Sequence, residues 1–222
     1  MNTPQNEYEY QTRPTRVKIC GITNLEDAVV AIKAGADELG FNFYLESPRY
    51  IFPLRAREII DQLPISILKV GVFVNETIET IAAIAVIADL DLIQLHGDED
   101  SAIVADLKAR AELPVIKAFR VTPDFLPESV LNCQADAILL DGYSSKERGG
   151  TGDIVDWNVA QRVSDIVQVL YLAGGLSSDN VAEAINKVRP YAVDVCSRIE
   201  SEPGKKDADK LKRFIAAAKE TI

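Results

Sequence analysis

The chain has 222 residues, a length that suits one large domain or two small ones. Hydrophobic residues make up 47% and charged residues 26%, a composition typical of a globular protein in water. The formal net charge of −10 argues against binding to a nucleic-acid backbone, because such binding depends on a basic surface. No apolar run approaches the roughly 20 residues of a membrane span, so we expect neither nucleic acid nor membrane as a partner.

The three cysteines, Cys20, Cys133 and Cys196, are an odd number and show no spacing typical of a metal site. They predict a reducing compartment, and we expect a cytoplasmic location, with an organelle as the open alternative. The polar, aperiodic stretch 1–15 lacks a secretory apolar segment. It predicts a disordered N-terminal tail, followed by one domain over residues 16–222.

From Arg16 onward, short apolar runs rich in β-branched residues alternate with segments of helical period. The eight runs are 17–22, 37–43, 67–74, 91–97, 114–119, 136–142, 169–175 and 191–197. Strand followed by helix, repeated about every 25 residues, predicts a parallel sheet with right-handed crossovers. Eight units favour an α/β fold closed as a single (βα)8 TIM barrel. An open doubly wound sheet is the alternative, although such sheets usually have about five or six strands.

Start and stop signals mark several of the intervening helices. Thr23 and Glu26 form a candidate capping box for the first helix, and Gly35 is positioned to end it. Pro53 and Pro123 stand where later helices are expected to begin, because proline is favoured in a first helical turn.

The ends of the strands carry residues that are unusual for a core. In barrels of this type the reactive groups follow the carboxyl ends of the strands. The residues at these positions are Lys18, Cys20, Asn42, Gln94, His96, Asp141, Gly174, Gly175, Asp194, Cys196 and Ser197. We therefore expect the functional site at this face of the barrel.

Cys20 ends the first strand immediately before Gly21, and Lys18 lies one step earlier on the same face. A buried cysteine is often only a small hydrophobic side chain, and that interpretation stays open. A neighbouring ammonium group would lower the thiol pKa, and the thiolate would then serve as a base or a nucleophile. Lys18 has an alternative partner in Asp194, and the sequence does not choose between the two.

Asp141 follows an apolar run and precedes a glycine, which suits a general acid, a salt-bridge partner or a helix cap. His96, the only histidine, and Gln94 are candidates for substrate contacts or for hydrogen bonds within the core. With no second histidine and no cysteine cluster, we expect no metal site. Arg49, in the loop after the second strand, either clamps a carboxylate or remains in solvent.

Three loops rich in glycine are candidates for binding. The longest, 142–157, is interpreted as a hinge or a set of amide donors. The loops 172–180 and 195–207 follow the last two strands, a position that often binds phosphate in barrels, although two ordinary turns are the alternative.

A set of motifs matches one enzyme family in order along nearly the whole chain after the tail. The motifs are KICGIT (18–23), GADELGFNFYLESPRY (35–50), QLHGDE (94–99), LLDGY with GGTG and DW (139–157), LAGGL (172–176) and PGKKD (203–207). In combination they resemble phosphoribosylanthranilate isomerase, an enzyme family of the tryptophan pathway. The combination is highly specific, whereas each motif alone is weak.

The resemblance implies a (βα)8 barrel that performs the Amadori rearrangement of N-(5-phosphoribosyl)anthranilate without metal or organic cofactor. It implies that Cys20 is the general base at C2 of the sugar and that Asp141 is the general acid at the ring oxygen. The only partner that it implies is a small phosphorylated substrate, and the chain is either a monomer or a homodimer. The expected substrate contacts are Arg49 at the carboxylate together with Gln94, His96, Gly174, Gly175, Asp194, Ser197 and Arg198.

The loop after the eighth strand departs from the family pattern. Where that pattern leads us to expect Ser-Ser-Gly, this chain has Cys196-Ser197-Arg198. Loss of the glycine puts a positive φ angle at this point in question. Arg198 either adds a charge to the phosphate site or points to solvent.

Two other classes of function compete with this one. A histidine-pathway isomerase would use an aspartate in place of Cys20, and a ribulose-phosphate epimerase would need metal-binding histidines. A non-catalytic barrel that binds phosphorylated ligands would keep the last two loops and lose the acid–base pair. The presence of both Cys20 and Asp141 favours the enzyme.

Overall fold

The computed structural model describes residues 14–142 and 155–221, and eight parallel strands of this part close into a barrel. The strands are β1 (Arg16–Cys20), β2 (Glu38–Asn42), β3 (Leu68–Phe73), β4 (Leu92–Leu95), β5 (Val115–Val121), β6 (Ala137–Gly142), β7 (Leu170–Leu172) and β8 (Ala192–Val195). They pair in chain order, and β8 closes on β1. The predicted (βα)8 barrel is confirmed. Most of the predicted tail, 1–15, lies outside the described residues.

Helices connect most of the strands and cover the barrel. They are α1 (Leu25–Ala34), α2 (Pro53–Ile60), α3 (Ile78–Ala88), α4 (Ser101–Ala111), α5 (Trp157–Ser164), α6 (Val181–Val188) and α7 (Ala208–Lys219). After β8 a short 3-10 helix leads to a small antiparallel ribbon of β9 (Glu200–Glu202) and β10 (Lys205–Lys206). Within the described ranges, no helix has both the length and the apolar character needed to cross a lipid bilayer.

The connection between β5 and β6 corrects one prediction. No α-helix begins at Pro123; the connection holds only a 3-10 helix, Pro127–Asn132. A helix that began at Pro123 would place Pro127 four residues later, where its ring meets the carbonyl of Pro123 and no N–H is available. The second proline therefore excludes the predicted helix, and the barrel keeps its strand order without it.

The start of α1 corrects a second prediction, the capping box of Thr23 and Glu26. Its N-cap is Asn24, whose Oδ1 accepts a hydrogen bond of 2.8 Å from the Asp27 backbone N–H. The Thr23 hydroxyl instead donates to the carbonyl of Gly204, so the predicted capping box does not form. Gly35 ends α1 with φ of 106°, and Pro53 opens α2, both as predicted.

The alternation of β1 separates two environments. Val17 and Ile19 are fully buried in the layer between barrel and helices, where a side chain of this size stabilises the fold by about 1.5–3 kcal/mol. Lys18 and Cys20 lie on the opposite face of the strand, inside the barrel. A second apolar cluster, which includes Ile116 and Leu139, fills the barrel interior. The residues at the carboxyl ends of the strands therefore lie above tightly packed apolar side chains.

Candidate active site

Lys18 and Asp194 form a buried ion pair inside the barrel. Their strands pair in register, and Lys18 Nζ donates to Asp194 Oδ1 at 2.9 Å. Burial opposes the charge on Lys18, but Asp194, followed by Cys20, attracts it more strongly and raises the lysine pKa. Burial raises the pKa of Asp194 to about 7, because Lys18 offsets only part of that effect. Lys18 thus has Asp194 as its direct partner and still acts on Cys20 through its charge.

Cys20 lies at the upper end of β1, where its surroundings favour the thiolate. Its pKa lies well below the ordinary value, and the largest cause is the neighbouring Cys196 side chain. Burial opposes this effect, and the positive charges of Lys18 and Lys206 support it. A thiolate in this position is a proton acceptor and a nucleophile.

Asp141 ends β6 and is held by two hydrogen bonds. Its Oδ1 accepts from the Gly142 backbone N–H at 2.8 Å, and its Oδ2 lies 3.1 Å from His96 Nε2. The amide Nε2 of Gln94 lies 2.9 Å from His96 Nδ1. An amide nitrogen only donates, so Nδ1 accepts and Nε2 carries the proton given to Asp141. The Gln94–His96–Asp141 chain therefore aims the carboxyl group.

Arg49 reaches the mouth but is already engaged. Its Nε donates to Glu200 Oε1 at 2.9 Å and its Nη2 to Glu200 Oε2 at 2.7 Å. Lys206 Nζ donates to the same carboxylate at 3.0 Å. Burial raises the pKa of Glu200, but Arg49 and Lys206 outweigh it and hold that pKa below its ordinary value. Sequence reasoning missed this pair, although the acidic and basic residues after β8 were visible in the predicted phosphate loop.

Gly21 is required where Arg49 and Cys196 meet. Its φ is +77°, and an added Cβ would lie 2.8 Å from Arg49 Cδ and 3.0 Å from Cys196 Sγ. Both the left-handed backbone and the close approach exclude a larger residue. The KICGIT motif thus supplies the thiol together with the space that its neighbours need.

The two predicted phosphate loops are next to each other. Gly174 and Gly175 have φ of 76° and 65°, and a Cβ at Gly174 would lie 2.4 Å from the Gly142 nitrogen. Ser197 and Arg198 lie in the 3-10 helix that follows β8. This conformation does not need glycine, so Arg198 replaces it without the strain of a positive φ.

Arg198 is exposed and lines a cavity of about 440 Å³ between these loops. Ser177 and Ser178 line the same cavity from the loop after β7, and Lys210 lines it from α7. The arginine is thus placed beside the predicted phosphate loops. Residues 143–154 of the long loop, including the GGTG motif, lie outside the described residues.

The comparisons with known proteins agree on one family. The family model for N-(5'-phosphoribosyl)anthranilate (PRA) isomerase matches residues 17–217. An N-(5'-phosphoribosyl)anthranilate isomerase of Trichlorobacter lovleyi is 49% identical over 207 residues, which are 93% of this chain and 99% of that protein.

Solved structures give the same result. The phosphoribosyl anthranilate isomerase of Thermotoga maritima has a TM-score of 0.85 and 44% identity, covering 93% of this chain and 99% of its own. Another phosphoribosyl anthranilate isomerase, in complex with reduced 1-(o-carboxyphenylamino)-1-deoxyribulose 5-phosphate, has a TM-score of 0.82 at 43% identity, with coverages of 93% and 99%. The chain therefore belongs to the N-(5'-phosphoribosyl)anthranilate isomerase family.

Proposed function

We propose that Cys20 is the general base and Asp141 the general acid of the isomerisation that this enzyme performs in tryptophan biosynthesis. The reaction is the Amadori rearrangement of N-(5-phosphoribosyl)anthranilate to 1-(2-carboxyphenylamino)-1-deoxyribulose 5-phosphate. The observation that carries the proposal is a stabilised thiolate at the end of β1, in the same barrel mouth as an aimed carboxyl group at the end of β6. One group accepts a proton and the other delivers one.

The proton transfers follow from these two groups. Asp141 protonates the furanose ring oxygen, the bond from that oxygen to C1 breaks, and the nitrogen lone pair completes a Schiff base. The Cys20 thiolate then removes the proton from C2, and the electrons of that bond form the enolamine. The Cys20 thiol then returns a proton to C1 and becomes a thiolate again, while the enol O–H proton leaves and the ketone forms. The carboxylate left on Asp141 recovers its proton for the next turnover.

The substrate is anchored at both ends in this proposal. Glu200 uses Nε and Nη2 of Arg49, so the remaining Nη1 edge meets the anthranilate carboxylate. The amides of Gly174, Gly175 and Ser197 hold the phosphate, with Arg198 as a nearby positive charge. Anchoring both ends keeps the reacting carbon at the thiolate, which lowers the barrier by about 7–11 kcal/mol in the best oriented reactions.

The other three predicted substrate contacts, Gln94, His96 and Asp194, have partners within the protein. Gln94 and His96 orient Asp141, and we propose that they also bound the sugar site; Gln94 Oε1 is buried without a partner among the described residues. Asp194 is held by Lys18 below Cys20, so its proposed role is to fix that lysine. Direct contact of Asp194 with the substrate stays a prediction.

Turnover with the natural substrate tests the assignment of base and acid. Conversion is followed as the loss of anthranilate-type fluorescence in the intact protein, Cys20→Ser and Asp141→Asn. We expect each substitution to lower kcat by about 10²–10⁴-fold, while Cys133→Ser retains full activity. Binding of the reduced product analogue is measured in parallel. An intact protein that binds the analogue but turns nothing over would instead be the non-catalytic binding barrel.

We also propose a cytoplasmic location and a single catalytic domain over residues 16–222. Three free thiols support a reducing compartment. The proposed partner is a small phosphorylated substrate, with the chain as a monomer or homodimer. Cell fractionation tests the location, limited proteolysis tests the predicted tail 1–15, and sedimentation separates the two oligomeric states.

A further inference from the structure

Two cysteines stand side by side where β1 and β8 meet. The register pairs Lys18 with Asp194 and Ile19 with Val195, and Cys20 and Cys196 are the residues that directly follow this last pair. Neighbouring strands lie about 4.8 Å apart, and disulfides bridge Cα separations of about 4.4–6.8 Å. The residues that precede the two cysteines are therefore paired at about the spacing that a disulfide spans.

The two side chains also interact: each cysteine is the first cause of the pKa shift of the other, and neither is in a disulfide. Gly21 and Gly40 make room for the pair: an added Cβ at Gly21 would lie 3.0 Å from Cys196 Sγ, and one at Gly40 would lie 2.8 Å from Cys20 Sγ. Both sulfurs therefore pack closely against neighbouring glycine residues, one directly after β1 and one in β2, at the mouth of the barrel.

The surroundings of the pair favour oxidation chemistry. Lys206 Nζ lies 3.8 Å from Cys196 Sγ, and Arg49 adds a second positive charge beside it. A thiolate of low pKa next to a second thiol is the arrangement of redox-sensitive cysteines. Cys196 is partly exposed and Cys20 retains 9% of its surface in the mouth, which leaves access for a small oxidant.

We propose that Cys20 and Cys196 are a modification site, at which hydrogen peroxide converts the two thiols into a reversible disulfide. The bond occupies the sulfur of Cys20, so the oxidised protein has no base. This effect on turnover rests on the role proposed for Cys20, whereas formation of the bond rests only on the geometry of the pair. Serine, which the family pattern leads us to expect at position 196, would not form such a bond.

The chemistry balances with one peroxide molecule. The Cys20 thiolate attacks one oxygen, the O–O bond breaks, and the hydroxide that leaves takes up a proton to become water. Cys20 is then a sulfenic acid. Cys196 loses its proton and attacks the Cys20 sulfur, the S–O bond breaks, and a second water leaves. Two thiols and one peroxide give one disulfide and two waters.

The coupling between the cysteines sets the order of these steps. Cys20 is the first cause that raises the pKa of Cys196, so the pair favours a thiol at Cys196 beside a thiolate at Cys20. Oxidation of Cys20 removes that negative charge. Lys206 and Arg49 then favour the thiolate of Cys196, which becomes the attacking group for the second step.

The test exposes the full chain to hydrogen peroxide, stops the reaction with catalase and alkylates the remaining thiols. Intact mass and tryptic peptides are measured together with turnover before and after dithiothreitol. We expect a loss of two hydrogens, a peptide pair joined through Cys20 and Cys196, and a fall in turnover of about 10²-fold that dithiothreitol reverses. Activities are expressed as fractions of each protein's own starting value.

Two variants serve as matched comparisons. Cys133→Ser is expected to form the same bond and to recover as the unmodified sequence does. In Cys196→Ser, the sulfenic acid has no thiol partner and proceeds to sulfinic acid, so we expect two added oxygens and no recovery with dithiothreitol.

Two results would overturn the proposal: absence of the joined peptides from the oxidised protein, or full recovery of the Cys196→Ser protein. Joined peptides with unchanged turnover would confirm the disulfide and would overturn the role of Cys20 as base.

Discussion

The Lys18 ammonium lies 2.9 Å from Asp194 Oδ1, and both groups are buried one step below Cys20. This ion pair joins the first and last strands of the barrel, because Lys18 is on β1 and Asp194 is on β8. It also places a positive charge under the Cys20 thiol. An ion pair that looks structural therefore also favours the thiolate of Cys20.

Replacement of Lys18 tests both effects. We expect Lys18→Met to lower the free energy of unfolding by about 3–5 kcal/mol, because Asp194 is left buried without its partner. The double variant Lys18→Met/Asp194→Leu should recover most of this loss. Urea unfolding measures these changes in the free energy of unfolding, and Lys33→Met, at an exposed position, is the control. Equal midpoints for Lys18→Met and Lys33→Met would refute the structural role.

Lys206 should set the acid limb of the pH–rate profile. The positive charge of Lys206 lowers the pKa of Cys20, so its removal makes the thiolate harder to form. In Lys206→Met we expect the acid limb of kcat/KM to move upward by about 1 pH unit. Lys205→Met, an exposed neighbour on the same strand, serves as the control. A limb that moves equally in both variants would point to a general effect of net charge.

Gly21→Ala should impair both stability and turnover. The new Cβ meets Arg49 Cδ and Cys196 Sγ at 2.8 and 3.0 Å, on a backbone with φ of +77°. We expect a loss of about 1–3 kcal/mol in the free energy of unfolding and a marked fall in kcat. Gly35→Ala, at the end of α1, also has a positive φ but lies in contact with Ile215. Gly35→Ala should lose stability and keep its kcat. Comparison with Gly21→Ala therefore distinguishes the effect of backbone strain on stability from the effect of the new Cβ on the site.

His96 gives a direct spectroscopic test, because it is the only histidine in the chain. The hydrogen bonds from Gln94 and to Asp141 require the tautomer with its proton on Nε2. Nitrogen-15 NMR should show that single tautomer, and Gln94→Leu should give a mixture. His96→Ala should lower kcat by about 10–100-fold, the equivalent of a hydrogen bond to a charged group. A predominant Nδ1–H signal would contradict the proposed orientation of Asp141.

Glu200 should make stability depend on acid pH. Its pKa is lower in the folded chain than in the unfolded one, so it contributes stability above its ordinary pKa of about 4.3. That contribution is lost as the pH falls through the folded pKa. Urea unfolding is measured between about pH 3 and about pH 7. The free energy of unfolding of Glu200→Gln should depend on pH less strongly than that of the intact protein. Glu202→Gln, an exposed residue at the other end of the same strand, should leave the dependence unchanged.

Much of the barrel was predictable because its signals are local. The apolar runs marked all eight strands, and glycine or proline marked one end each of α1 and α2. The errors arose where a distant group or a second proline intervened. Thr23 bonds to Gly204 and so leaves the cap to Asn24. Pro127 excludes the helix expected at Pro123.

The sequence by itself determined the barrel, the strand ends that carry polar groups and the family. Strand alternation and helical period act over a few residues, so they are visible along the chain. Only the tertiary structure decided the partners: Lys18 with Asp194, 176 residues away, and Arg49 with Glu200, 151 residues away. The same closure brings Cys196 to Cys20. The physical reason is that these contacts exist only once β8 pairs with β1 and its loop folds over the mouth.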